Sequence, residues 1–107
     1  MEVTYADHQT EKICTDARAA QKSLGRERAK PLEVRVAQLR AATSAADLLV
    51  PGVPGRWELL TGDRRGDISG RLTGNWRIIV RPLGGTEDLG ECVEVIVVEI
   101  VDYHRRA

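Results

Sequence analysis

Polar and apolar residues alternate through Glu2-Val3-Thr4-Tyr5, the period of a short strand. The period then lengthens. Ile13, Ala17, Ala20 and Leu24 recur at spacings of four, three and four, forming one stripe of an amphipathic helix with Glu11, Lys12, Arg18 and Gln21 off it. Asp7 is placed to cap this helix and Gly25 to end it. Leu32, Val36 and Leu39 make the stripe of a second helix that starts near Pro31, a residue tolerated in a first turn. Thr43 or Ser44 caps a short third turn through Leu48-Leu49. The pattern predicts a helical hairpin over about residues 7–49.

Pro51-Gly52-Val53-Pro54-Gly55 is a loop by composition, and beyond it the apolar period falls toward two. Strands are predicted over Arg56–Thr61, Asp67–Thr73, Trp76–Pro82 and Cys92–Asp102. Gly62–Gly66 turns between the first two, and Gly74-Asn75 makes a tight turn between the next two. Leu83–Gly90, with three glycines, is the remaining loop. Trp76, Ile78 and Val80 fall on one face of their strand, with Arg77, Ile79 and Arg81 on the other. The last strand is apolar on both faces, Ile96, Val98 and Ile100 against Val93, Val95, Val97 and Val101, which marks a central strand. The expectation is one α+β domain over residues 1–107, with the helices packed on one face of a mostly antiparallel sheet at about residues 56–104.

Composition narrows the function classes. At 42% hydrophobic residues, with two Trp, two Tyr and no Phe, a small core must be built from Val, Leu, Ile and Ala. Sixteen basic and 16 acidic residues give zero formal charge, so the chain is not a globally basic nucleic-acid binder. Any RNA contact has to come from locally clustered arginines. From Arg56 onward every basic residue is Arg, whose rigid donor fork matches phosphate oxygens, although a compositional bias of the genome produces the same skew. Cys14 and Cys92 have neither zinc-site nor redox spacing and are expected to be reduced, partly buried thiols. Asp7, Asp63 and Asp67 lack metal-ligand spacing, so no metal and no cofactor are expected. No secretory segment follows Met1 and no apolar run approaches about 18 residues, which points to a cytoplasmic chain without a membrane span.

Two clusters carry candidate chemistry. Arg77 and Arg81 share a strand face, and Arg71 joins them across the Gly74-Asn75 turn if the register allows. Three guanidinium groups on one face require balancing negative charge. Either a phosphate supplies it, or the face is solvated and paired with Asp67, Glu94 or Glu99. At Asp102-Tyr103-His104 a strand end offers a carboxylate, a phenol and an imidazole, three proton-transfer groups together. The plain alternative is a frayed tail. Trp76 belongs to the core by its face, whereas Trp57 is open to base stacking.

Four segments in order resemble one family: Pro54-Gly55-Arg56, Gly62-Asp63-Arg64-Arg65-Gly66, Gly74-Asn75-Trp76-Arg77-Ile78 and Val98-Glu99-Ile100-Val101-Asp102-Tyr103-His104. They resemble toxins of the RelE/ParE superfamily, and within it the HigB-like plasmid-maintenance killer proteins. The resemblance implies a RelE-like fold and a ribosome-dependent mRNA endoribonuclease that uses no metal or cofactor. It also implies neutralisation by a HigA-like helix-turn-helix antitoxin. Carried over by position, Arg77 holds the scissile phosphate, and Asp102, Tyr103 and His104 form the acid–base cluster. Arg64 and Arg65 contact the nucleic-acid backbone, with Arg71 and Arg81 as further RNA-binding residues. The frame departs ahead of Gly62. Relatives commonly carry a His and then a Lys there, where this chain has Glu58 and Thr61. Glu58 keeps a proton acceptor at its place, and Thr61 brings no charge. Two other functions are compatible with the resemblance. One is a ParE-like inhibitor of DNA gyrase, which has no need of an acid–base tail. The other is a catalytically weakened homologue that binds its antitoxin and regulates their operon.

Overall fold

The computed structural model describes residues 1–84 and 87–103. Asp7 accepts a hydrogen bond from the Thr10 N–H at 2.7 Å and starts α1, His8–Thr15. Where one continuous helix is predicted, Asp16 divides it. Its N–H donates to Lys12 O and closes α1, while its carboxylate accepts from the N–H groups of Arg18 and Ala19 and opens α2, Ala17–Leu24. An aspartate in a helix interior competes for backbone donors, and here that competition prevails. Gly25, at φ +84°, ends α2 and reverses the chain straight into α3, Arg26–Ala41. The Arg28 and Ala29 N–H groups bond to the Gly25 carbonyl, so α3 begins five residues before Pro31 and contains it. Leu32, Val36 and Leu39 form the buried stripe of α3, as the spacing predicts, and Ala29, ahead of the predicted start, extends it. A 3₁₀ turn over Ala45–Leu49 follows, opened by a reciprocal capping box between Ser44 and Asp47. No helix among the described residues is long and apolar enough to cross a membrane.

Five strands form one sheet: β1 Glu2–Tyr5, β2 Glu58–Leu59, β3 Ile68–Arg71, β4 Trp76–Pro82 and β5 Glu94–Asp102. Their order is β1-β5-β4-β3-β2, with β1 parallel to β5 and the other pairs antiparallel. The twice-apolar β5 is central, flanked by β1 and β4. β2 is shorter than its predicted span. The β3–β4 connection is a tight turn closed by Trp76 N–H to Thr73 O, with Gly74 at φ +56° supplying the left-handed first corner of a type II′ geometry.

The core lies between α2, α3 and one sheet face. Leu24, Leu32, Val36 and Leu39 meet Ile68, Ile78, Val80, Val95 and Val97 there. Simple alternation along β5 fails at one point. The β4 partners step from Ile79↔Glu99 to Val80↔Val97, so Val98 bulges and the parity flips. Val95, Val97 and Ile100 therefore share the helix-side face. Trp57, left between base stacking and the core by its sequence, is a core residue at 7% exposure. Its ring lies against Gly70, and nothing larger than glycine fits at that contact.

Cys14 sits half-buried in the wall of a cavity of about 530 Å³ between α1, α2 and α3. Burial pushes its thiol from 9.0 up to about 12, with the Arg40 charge opposing. Its thiolate fraction at pH 8 is then about a thousandfold below that of an ordinary cysteine. Cys14 in the native protein is expected to react with a disulfide reagent at pH 8 far more slowly than in denatured protein. The unfolded thiol ionises first, so this residue's contribution to stability is lost as pH rises from 9.0 toward about 12. Rapid labelling of native Cys14 at pH 8 would contradict this.

Candidate active site

The face of the sheet opposite the helices holds the charged residues, and register assigns them to two rows. Glu58 lies opposite Ser69, Ser69 opposite Ile79, and Ile79 opposite Glu99. Next to them, Arg71 lies opposite Arg77 and Arg77 opposite Val101. Opposed residues in antiparallel strands project from the same face. Tyr103 follows the end of β5 and lies within electrostatic range of Arg77. Its N–H donates to Asn75 O at 2.8 Å, carrying the ladder past the end of β5.

Arg77 is the centre of this group. Its Nη1 donates to the carbonyls of Gly74 and Trp76, both at 3.0 Å, which folds the guanidinium back over the turn. Burial and then the Arg71 charge press its pKa below the ordinary value, while Glu58 and Tyr103 act in the opposite sense. Arg71, Glu58 and Tyr103 thus all lie within electrostatic range of one guanidinium. Among the described residues, Arg71 and Arg77 oppose each other as like charges with the Glu58 carboxylate in range, an arrangement that an anion between the two guanidinium groups favours.

Arg71 is held by its backbone. Its N–H donates to Gly55 O at 2.7 Å, and its carbonyl accepts from Arg35 Nε at 3.0 Å. Arg35 Nη1 donates in turn to Gln38 Oε1, and Gln38 Nε2 donates to Pro54 O. Arg35 and Gln38 are thereby positioning groups that hydrophobic periodicity overlooks. The available signal was a polar pair three residues apart on α3, flanking the buried Val36.

The remaining expected site residues lie elsewhere. Arg64, expected on a nucleic-acid backbone, donates to Glu99 at 2.6 Å, with its side chain only 14% exposed. Arg81, expected on RNA, reaches the buried Asp67 with Nε at 2.8 Å and Nη2 at 3.2 Å, and this pairing raises its pKa. For these two arginines the balancing charge is a carboxylate of the chain itself. Arg65 is exposed beside the Gly62–Arg64 turn. Asp102 does not join Tyr103, since it pairs with Trp76 and alternation carries it to the helix-side face. On that face Trp76 also receives the Arg28 guanidinium 4.5 Å above its ring. His104 lies outside the described residues.

No protein-family model matches the sequence, and neither does any curated protein. Among solved structures, a YoeB/ParE toxin from Agrobacterium tumefaciens matches with a TM-score of 0.59, covering 94% of this chain and 95% of that one at 16% sequence identity. What the two share at that identity is architecture: the chain has the α+β fold of that toxin, with three helices packed on an open, mostly antiparallel five-stranded sheet.

Proposed function

We propose that this chain is the toxin of a type II toxin–antitoxin pair and cleaves ribosome-bound mRNA as a metal-independent endoribonuclease. The observation that carries the reading is the gathering of Glu58, Arg71 and Tyr103 around Arg77 on the open sheet face. The group has the parts RNA strand scission needs: a proton acceptor, cations for the phosphate and a proton donor. In the proposed reaction Glu58 takes the proton of a ribose 2′-hydroxyl. The 2′-oxygen attacks the adjacent phosphorus, and Arg77, supported by Arg71, holds the phosphate oxygens as their charge grows. The bond to the 5′-oxygen breaks, leaving a cyclic phosphate, and Tyr103 protonates the departing oxygen. His104 belongs to the acid–base cluster that the resemblance implies. Arg65 is assigned to the flanking RNA backbone.

The fold of the Agrobacterium toxin supports the superfamily, and the four ordered segments support the HigB-like subgroup. The partner is accordingly a HigA-like helix-turn-helix antitoxin, and the site of action the cytoplasm. Gyrase inhibition is the second reading, because the description of the structural neighbour joins YoeB with ParE. Cleavage of mRNA on programmed ribosomes tests the choice. Wild-type protein is expected to cut, and Glu58→Gln to cut at least about a hundredfold more slowly. Gyrase-dependent DNA breaks with intact mRNA would establish the second reading. A chain that binds its antitoxin yet leaves both mRNA and DNA intact would be a regulatory homologue, the role to which the uncharged Thr61 points.

A further inference from the structure

Ser69 is 1% exposed, and its Oγ is buried without a hydrogen-bond partner among the described residues. An unpaired buried hydroxyl is unfavourable, and alanine at this position would avoid the penalty. Register places Ser69 on the same sheet face as Ile79, which is likewise fully buried, and as Glu99, which Arg64 engages. The carboxylates nearest to Ser69 in register belong to its own row.

Glu58 is the side chain directly opposite. Opposed Cβ atoms in antiparallel strands lie about 5 Å apart, close enough for a serine hydroxyl to reach a glutamate carboxylate. Glu99 is two strands away and engaged by Arg64. Arg77 draws the Glu58 carboxylate by charge but imposes no direction on it. A general base needs one oxygen aimed at the proton it removes.

We propose that Ser69 is a positioning residue for Glu58: with RNA in the site, its hydroxyl donates to one carboxylate oxygen and leaves the other facing the 2′-hydroxyl. The inference rests on Glu58 acting as the base. It gives a use to a buried hydroxyl that alanine would replace at no cost in stability.

The test compares Ser69→Ala, Ser69→Thr and Glu58→Gln with wild type on programmed ribosomes, alongside thermal melts. Ser69→Ala is expected to lower kcat by about tenfold to a hundredfold with KM unchanged, while its melting temperature stays level or rises. Ser69→Thr, which retains the hydroxyl, keeps most of the wild-type kcat. A merely structural serine would not produce slower turnover in a protein of equal or greater stability. If Ser69→Ala cuts at the wild-type rate, or loses rate and stability together, while Glu58→Gln stays crippled, the positioning role is wrong and the nuclease reading stands. If wild type does not cut, or Glu58→Gln cuts like wild type, the nuclease reading fails and the role of Ser69 fails with it.

Discussion

Arg77→Ala is expected to slow mRNA cleavage on programmed ribosomes by about 10²–10³-fold, the effect of removing one preorganised donor from a developing anion. The position of Arg77 makes the prediction specific. It is the residue around which Arg71, Glu58 and Tyr103 converge, and two backbone carbonyls fix its Nη1 before any substrate arrives. Arg77→Lys is expected to recover only part of the rate, because an ammonium keeps the charge and loses the planar fork. Stability should move the other way. Alanine removes the opposed Arg71–Arg77 pair, so the variant is expected to melt at or above the wild-type temperature. Retained cleavage by folded Arg77→Ala would overturn the assignment of the site to this face.

The second large effect is structural. A Cβ at Gly70 would stand 2.6, 2.7 and 2.8 Å from three atoms of the Trp57 six-membered ring. Those atoms belong to a rigid, buried side chain, so the strand or the whole indole must shift. Gly70→Ala is therefore expected to lose about 3 kcal/mol in denaturant unfolding, at the upper end for an overpacked core. The β3 backbone that carries Arg71 runs through this contact, so weakened cleavage should accompany the loss. Trp57→Leu opens the space that the new methyl requires. In the double variant the two losses are expected to sum to clearly less than the separate effects, as for side chains in direct contact. Strict additivity would show that the Trp57–Gly70 contact is not what excludes alanine.

The β4 strand is legible in the sequence residue for residue. Trp76, Ile78 and Val80 alternate with Arg77 and Arg81 as a strand against helices requires, and Ile79 is the exception, buried on the other face. The α3 stripe is legible for the same reason. The division of the first helix at Asp16 is not, because the apolar spacing from Ile13 to Leu24 continues undisturbed across a residue that caps from within. Nor is the bulge at Val98 visible, since a strand apolar on both sides looks the same in either parity. Of the candidate site, Arg77 and its neighbour Arg71 follow from alternation and the hairpin turn. Glu58 emerges from the family frame. Which arginines are already satisfied depends on where distant carboxylates fall. Nothing local tells that Glu99 takes Arg64 or that Asp67 takes Arg81, and the fate of both pairs is decided by register. Trp57 reads as a candidate for base stacking until the glycine beneath it is seen.

The placement of β5 between β1 and β4 also sets an order of assembly. Residues 2–5 have their sheet partner in residues 94–97, the most distant pairing in the fold, and chain closure over such separations slows folding. During synthesis α1, α2, α3 and the β3–β4 hairpin can form while β1 waits as an unpaired edge. The same late strand delivers Tyr103 to Arg77. A nascent chain that has not reached residue 94 already holds two opposed arginines but lacks the phenol, so the proposed nuclease site is complete only once this last strand has paired.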